Sequence, residues 1–189
     1  MGLGGMMEIW SKTILSVYRY LEAISNAIDN IVVKKSINSA FYNNGRLNSA
    51  FECANEIIDL TERKVNLINL KVLTEKILMG LEPMQRKVLT LTYIDNLSRD
   101  EICSLLEIST RSFFRKKNDG ILGFVKALNF MGYDAKKIAT TFESEKWLLN
   151  LYNKNCGKLK KECKVQVDNN EYKFIKNIIR KYDFVAQTT

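Results

Sequence analysis

The chain has 189 residues, 46% of them hydrophobic, with one proline, nine glycines and no histidine. That apolar content suffices for a buried core and excludes a disordered chain, while the scarcity of turn-forming residues excludes a sandwich of many short strands, so the expected fold class is all-α. A formal net charge of +8 points to a polyanionic partner, and without histidine the commonest general base is missing, so the chain is read as no enzyme and no catalytic residue is assigned.

Helical patterning begins at Glu8. The apolar residues then recur as Trp10, Ile14, Val17, Leu21, Ile24, Ile28 and Ile31, a four-three alternation that makes a coiled-coil-like seam. Tyr42-Asn43-Asn44-Gly45 should stop this helix, because asparagine and glycine tolerate a left-handed backbone. A second seam follows as Leu47, Phe51, Ala54, Ile58, Thr61, Val65, Ile68 and Val72, shifting onto Leu73, Ile77 and Leu81. Residues 1–80 are thus expected to form a long helical hairpin. Its seams pack antiparallel within one chain or pair between chains as a homodimer through residues 10–81, and spacing alone does not choose.

Pro83 is placed to open the next helix, with Glu82 ahead of it at the positive end of the dipole. This helix is expected to run to about Asp95, with Val88, Leu89, Leu91 and Tyr93 on its apolar side.

Ser98-Arg99-Asp100-Glu101 matches a capping box, with Ser98 and Glu101 each satisfying a backbone amide of the other. Ile102, Cys103, Leu105 and Leu106 then supply the buried side of a short helix. Glu107-Ile108-Ser109 makes a three-residue corner, in which Ser109 caps the following helix. Two helices joined so tightly, the second opening with polar and basic residues, form the arrangement that lays a recognition helix in a DNA major groove.

On that helix Phe113, Gly120, Ile121, Phe124, Val125 and Leu128 fall inward by period. Arg111, Ser112, Arg115, Lys116 and Asp119 fall outward. Thr110, Arg111, Ser112 and Arg115 are the candidates for base edges, where an arginine bridges guanine O6 and N7. Lys116 and Lys117 are the candidates for phosphates, Lys117 running its stem along the core.

Leu81-Glu-Pro-Met-Gln-Arg-Lys-Val-Leu, Tyr93-Ile-Asp-Asn-Leu-Ser-Arg-Asp-Glu-Ile-Cys and Ile108-Ser-Thr-Arg-Ser-Phe-Phe-Arg-Lys-Lys together resemble region 4 of the sigma-70 family. They are closer still to the phage-type regulators of Gram-positive bacteria, the ArpU and RinA-like families. The resemblance covers residues 81–124 and implies recognition of a promoter-like element in double-stranded DNA, contact with RNA polymerase, and control of phage or mobile-element genes. It departs from the sigma pattern at Glu107, where glycine is frequent, and at Lys116, near a position often apolar. No aromatic-rich region 2 precedes it, so a binding regulator is expected in place of a complete DNA-melting factor.

Past Gly132 an amphipathic stretch holds Ile138, Phe142, Trp147, Leu148, Leu151 and Tyr152. A basic run from Lys154 to Lys164 follows, and a last amphipathic stretch spans 171–182, with Tyr172, Ile175, Ile178, Ile179 and Tyr182 on one side. Lys+Arg against Asp+Glu is nine to eight over residues 1–80, eight to seven over 81–135 and twelve to six over 136–189. The last segment therefore supplies most of the positive charge, and Lys158, Lys160, Lys161 and Lys164 are candidates for phosphate contacts. The domains are thus read as 1–80, a helical hairpin; 81–135, a helix-turn-helix; and 136–189, a basic helical segment.

Cys53, Cys103, Cys156 and Cys163 are scattered, which suits reduced thiols in the cytoplasm better than a disulfide framework or a zinc site. No metal or cofactor is expected, and no apolar run is long enough for a membrane span. The leading expectation is a sequence-specific transcriptional regulator. Its rivals are a module that docks on RNA polymerase or another regulator without touching DNA, and an architectural or recombination accessory protein.

Overall fold

A computed structural model describes residues 3–42 and 47–159 of the chain. These residues form seven α-helices and one π-helical turn, with no strand among them: α1 (Leu3–Tyr42), α2 (Leu47–Gly80), α3 (Pro83–Leu89), the π turn (Thr90–Ile94), α4 (Arg99–Leu106), α5 (Thr110–Phe130), α6 (Ala135–Thr141) and α7 (Lys146–Leu159). The all-α class holds. α1 begins five residues ahead of Glu8, and the turn expected at Asn43-Asn44-Gly45 lies outside the described residues.

The described residues fall into two compact units, one of 3–19 with 70–159 and the other of 20–42 with 47–69. Both long helices are shared between them, a division that no composition shift signals. In the smaller unit the chain runs antiparallel: Asp29 pairs with Lys64 at 2.6 Å, Lys35 pairs with Glu56, and the Cys53 thiol donates to the Lys35 carbonyl. As numbers rise along α1 they fall along α2. In the larger unit the Tyr18 hydroxyl donates to Glu75 at 2.6 Å, Trp10 stacks on Tyr152 at 4.2 Å, and the Asn155 amide donates to the Thr13 hydroxyl.

All seven members of the first seam, from Trp10 to Ile31, are buried. The buried hydroxyls beside them, on Ser11, Thr13 and Ser25, donate to the carbonyls four residues back, which leaves no polar group of theirs unmatched. The second seam corrects the sequence reading, because Phe51, Ile58, Val65, Ile68 and Val72 all stand exposed. α2 instead turns inward a series one residue out of step: Cys53, Ile57, Leu60, Lys64, Leu67, Lys71, Thr74 and Leu78 are half-buried or buried. One residue is about 100° of helix rotation. Two lysines and a threonine hide this series from an apolar count, yet a lysine stem covers apolar surface while its ammonium reaches a carboxylate, as Lys64 does with Asp29.

Pro83 lies in the first turn of α3, as expected. The helix does not continue as α to Asp95. After Leu89 it widens into the π turn, closed by the Asp95 amide donating to the Thr90 carbonyl at 3.0 Å, while the Thr92 hydroxyl takes the Val88 carbonyl at 2.6 Å. In the third segment Ile138, Phe142, Trp147, Leu148 and Leu151 are buried, and Tyr152 is half-buried under Trp10.

Candidate nucleic-acid interface

The capping box is formed. The Glu101 amide donates to the Ser98 hydroxyl at 3.3 Å and the Ser98 amide donates to the Glu101 carboxylate at 2.7 Å. These hydrogen bonds, the Ser98 side chain first, hold the Glu101 carboxyl below the usual range. Beside it, Arg99 donates to Asp100 at 2.8 Å, lowering the Asp100 carboxyl.

α4 ends because Glu107 turns left-handed, with φ 53° and ψ 41°. The amides of Glu107 and Ile108 both donate to the Cys103 carbonyl, an ending that folds Ile108 back toward the helix. Gly132 is left-handed at the end of α5 with the same closure, from the Tyr133 amide to the Leu128 carbonyl. One ending thus uses glycine, and the other forces a glutamate into a backbone region that costs L-residues about 1–2 kcal/mol. Ser109 then caps α5, accepting from the Ser112 amide at 3.2 Å.

Val88, Ile102 and Phe113 form a buried cluster, with Leu91, Leu97, Cys103, Leu106 and Ile108 packed on it. It ties α3, α4 and α5 together. Behind it α5 approaches α3 closely: a Cβ on Gly120 would lie 3.1 Å from Leu89, and one on Gly123 would lie 2.8 Å from Leu81. The inward set read from the sequence is otherwise found, with Ile121, Phe124 and Leu128 buried and Val125 half-buried.

The six residues expected at DNA separate into two groups. Thr110, Arg111 and Arg115 are exposed on the first two turns of α5, and among the described residues neither arginine has an ion-pair partner. Ser112, Lys116 and Lys117 are half-buried. Ser112 lends its amide to the cap, and Lys116 pairs with Glu82 at 2.8 Å. The Lys117 ammonium lies over the rings of Tyr93 and Phe113, at 5.2 and 5.7 Å from their centroids. Tyr93 is buried, and among the described residues its hydroxyl meets no hydrogen-bond partner; burial first, and the nearby Glu8 charge second, push its ionisation up.

On the first three turns of α5 two exposed residues lie outside the expected set. Phe114 is 47% exposed between the arginines and meets Phe113 edge-on at 5.2 Å; Asn118 is exposed one turn later. The signal was present: Phe113 takes the inward position, so its neighbour must turn about 100° away. Lys160, Lys161 and Lys164 lie outside the described residues, as does the side chain of Lys158. Among the described residues no cluster of three metal-ligating side chains occurs, Cys53, Cys103 and Cys156 are free thiols, and no helix is long and apolar enough to cross a membrane. Cys163 lies outside them.

Residues 72–116 match the family model described as sigma-70, region 4. The match opens in the last turns of α2, ahead of Leu81, and closes within α5. No curated protein and no solved structure matches the chain.

Proposed function

We propose that this chain, which carries a sigma-70 region 4-like helix-turn-helix, is a sequence-specific transcriptional regulator that reads a promoter-like site in double-stranded DNA through the first turns of α5. One observation carries the reading: Arg111 and Arg115 face outward without ion pairs among the described residues, while the neighbouring Lys116 and Lys117 are engaged by the fold. An arginine held on a rigid helix with its guanidinium free is equipped to bridge the major-groove edge of guanine. Thr110 adds a hydroxyl and a methyl, and Asn118 adds an amide suited to adenine. The basic segment containing Lys158, Lys160, Lys161 and Lys164 supplies phosphate contacts and hence salt-dependent affinity.

The likeness to region 4 supports a second contact, with RNA polymerase, at the same module. The resemblance to ArpU and RinA-like regulators supports control of phage or mobile-element genes from the cytoplasm. The protein acts by binding, with no catalytic step.

The test is to mix purified protein with sheared DNA of its own organism at roughly physiological salt and sequence what is recovered. Enrichment of a few promoter-proximal fragments is the expected result. Uniform recovery points to an architectural role. No recovery, together with a polymerase interaction that survives nuclease treatment, overturns DNA reading in favour of protein docking.

A further inference from the structure

α2 leaves an apolar stripe open to solvent. Phe51, Ile58, Val65 and Ile68 are 69%, 54%, 48% and 39% exposed, with Ala54 and Thr61 exposed between them. Midway, Ile57, Ile58, Thr61, Glu62, Val65 and Asn66 line a shallow depression of about 420 Å³. A continuous apolar patch of this kind, rimmed by polar residues, marks a surface that another element covers. Its rim is acidic. Glu52, Glu56, Asp59 and Glu62 are all exposed, and residues 47–62 contain no lysine or arginine. Among the described residues, Glu56 alone of the four pairs with a cation, Lys35. The fitting occupant is therefore apolar along one side and basic beside it.

We propose that the occupant is residues 171–182 of the same chain. Thirty residues follow Leu159, and within them Tyr172, Ile175, Ile179 and Tyr182 recur at three-four-three spacing, which matches the spacing of the open stripe. Lys173, Lys176, Arg180 and Lys181 accompany them against one acid, Glu171. Four cations thus meet four carboxylates. A tethered segment also reaches its site at an effective concentration of order millimolar, ahead of a free partner. A second copy of the stripe fits worse, because parallel pairing of 51–68 sets the same carboxylates against one another, and antiparallel pairing brings only Glu56 opposite a cation, Arg63. DNA is repelled by them outright. In this arrangement the basic residues of 171–182 serve the hairpin, and the lysines of 158–164 remain for phosphate.

The test is zero-length carbodiimide cross-linking of the full chain, with isotopically light and heavy protein mixed in equal parts. Links within one chain from Lys173, Lys176 or Lys181 to Glu52, Asp59 or Glu62 are expected. They should be lost in Ile58→Asp and in Ile175→Asp, while the Lys64 to Asp29 link persists as evidence that the hairpin is intact. Links that join light to heavy chains would assign the stripe to a second copy and overturn the proposal. So would the absence of links between the two segments, or links that survive both substitutions.

Discussion

α1 and α2 carry apolar residues at the same four-three spacing, yet Trp10 through Ile31 are sealed in the core while Phe51 through Val72 face solvent. The difference lies in what stands beside each series. In α1 the flanking positions bury as well, Ile9, Thr13 and Ala27 on one side and Ser11, Leu15 and Ser25 on the other, so the apolar seam is the middle of one broad buried face. In α2 a rival series one residue out of step includes Lys64, which closes on Asp29, and Thr74, whose hydroxyl donates to the Leu70 carbonyl at 2.7 Å. Polar residues with local partners are compatible with burial, and apolar spacing by itself does not rank two faces of one helix.

The sharpest way to break this comparison is a matched pair of truncations. Ile28 is fully buried and Ile58 is 54% exposed. Ile28→Ala should cost about 2–5 kcal/mol in denaturant unfolding; Ile58→Ala should cost about 1 kcal/mol or less in a chain shortened to residues 1–159, where the proposed cover is removed, and more in the full chain. Equal losses would show that both stripes are core. The next effect tests the other region, where α5 rests on α3. Gly120→Val should cost about 1–3 kcal/mol, since its first carbon already meets Leu89 at 3.1 Å.

Two smaller effects run in the stabilising direction. Tyr93→Phe removes a buried hydroxyl without a partner among the described residues and should raise stability by about 1 kcal/mol; a loss of similar size would reveal a partner for that oxygen. Glu107→Gly relieves the left-handed strain at the corner and should gain about 0.5–1 kcal/mol, the strain relief less the added chain entropy of glycine. Gly132→Ala, at the equivalent ending of α5, should move stability the other way.

The helix-turn-helix was the more legible region because its signals are local. Ser98, Glu101 and Ser109 cap where the sequence placed them, and the three-residue corner follows from side chains that bond to backbone two or three residues away. Its outward face was legible only in part. The period assigned Arg111 and Arg115 correctly to the exposed side, but Lys116 is held by Glu82, thirty-four positions earlier in the chain, and no local pattern announces such a pair. The π turn after Leu89 was hidden for a related reason, since Thr92 competes for a backbone carbonyl and period alone does not register that competition. The division of the long helices between two units depends on contacts far apart in sequence and leaves no mark on composition.

The central claim is that α5 reads bases through two arginines. Its most direct measurement is the affinity of Arg111→Ala and Arg115→Ala for a recovered fragment and for each single-base variant of it, at one fixed salt concentration. Each substitution should erase discrimination at one base pair, worth about 1–3 kcal/mol, and leave binding to unrelated DNA nearly unchanged. Uniform weakening on every sequence, or no change on any, would contradict it.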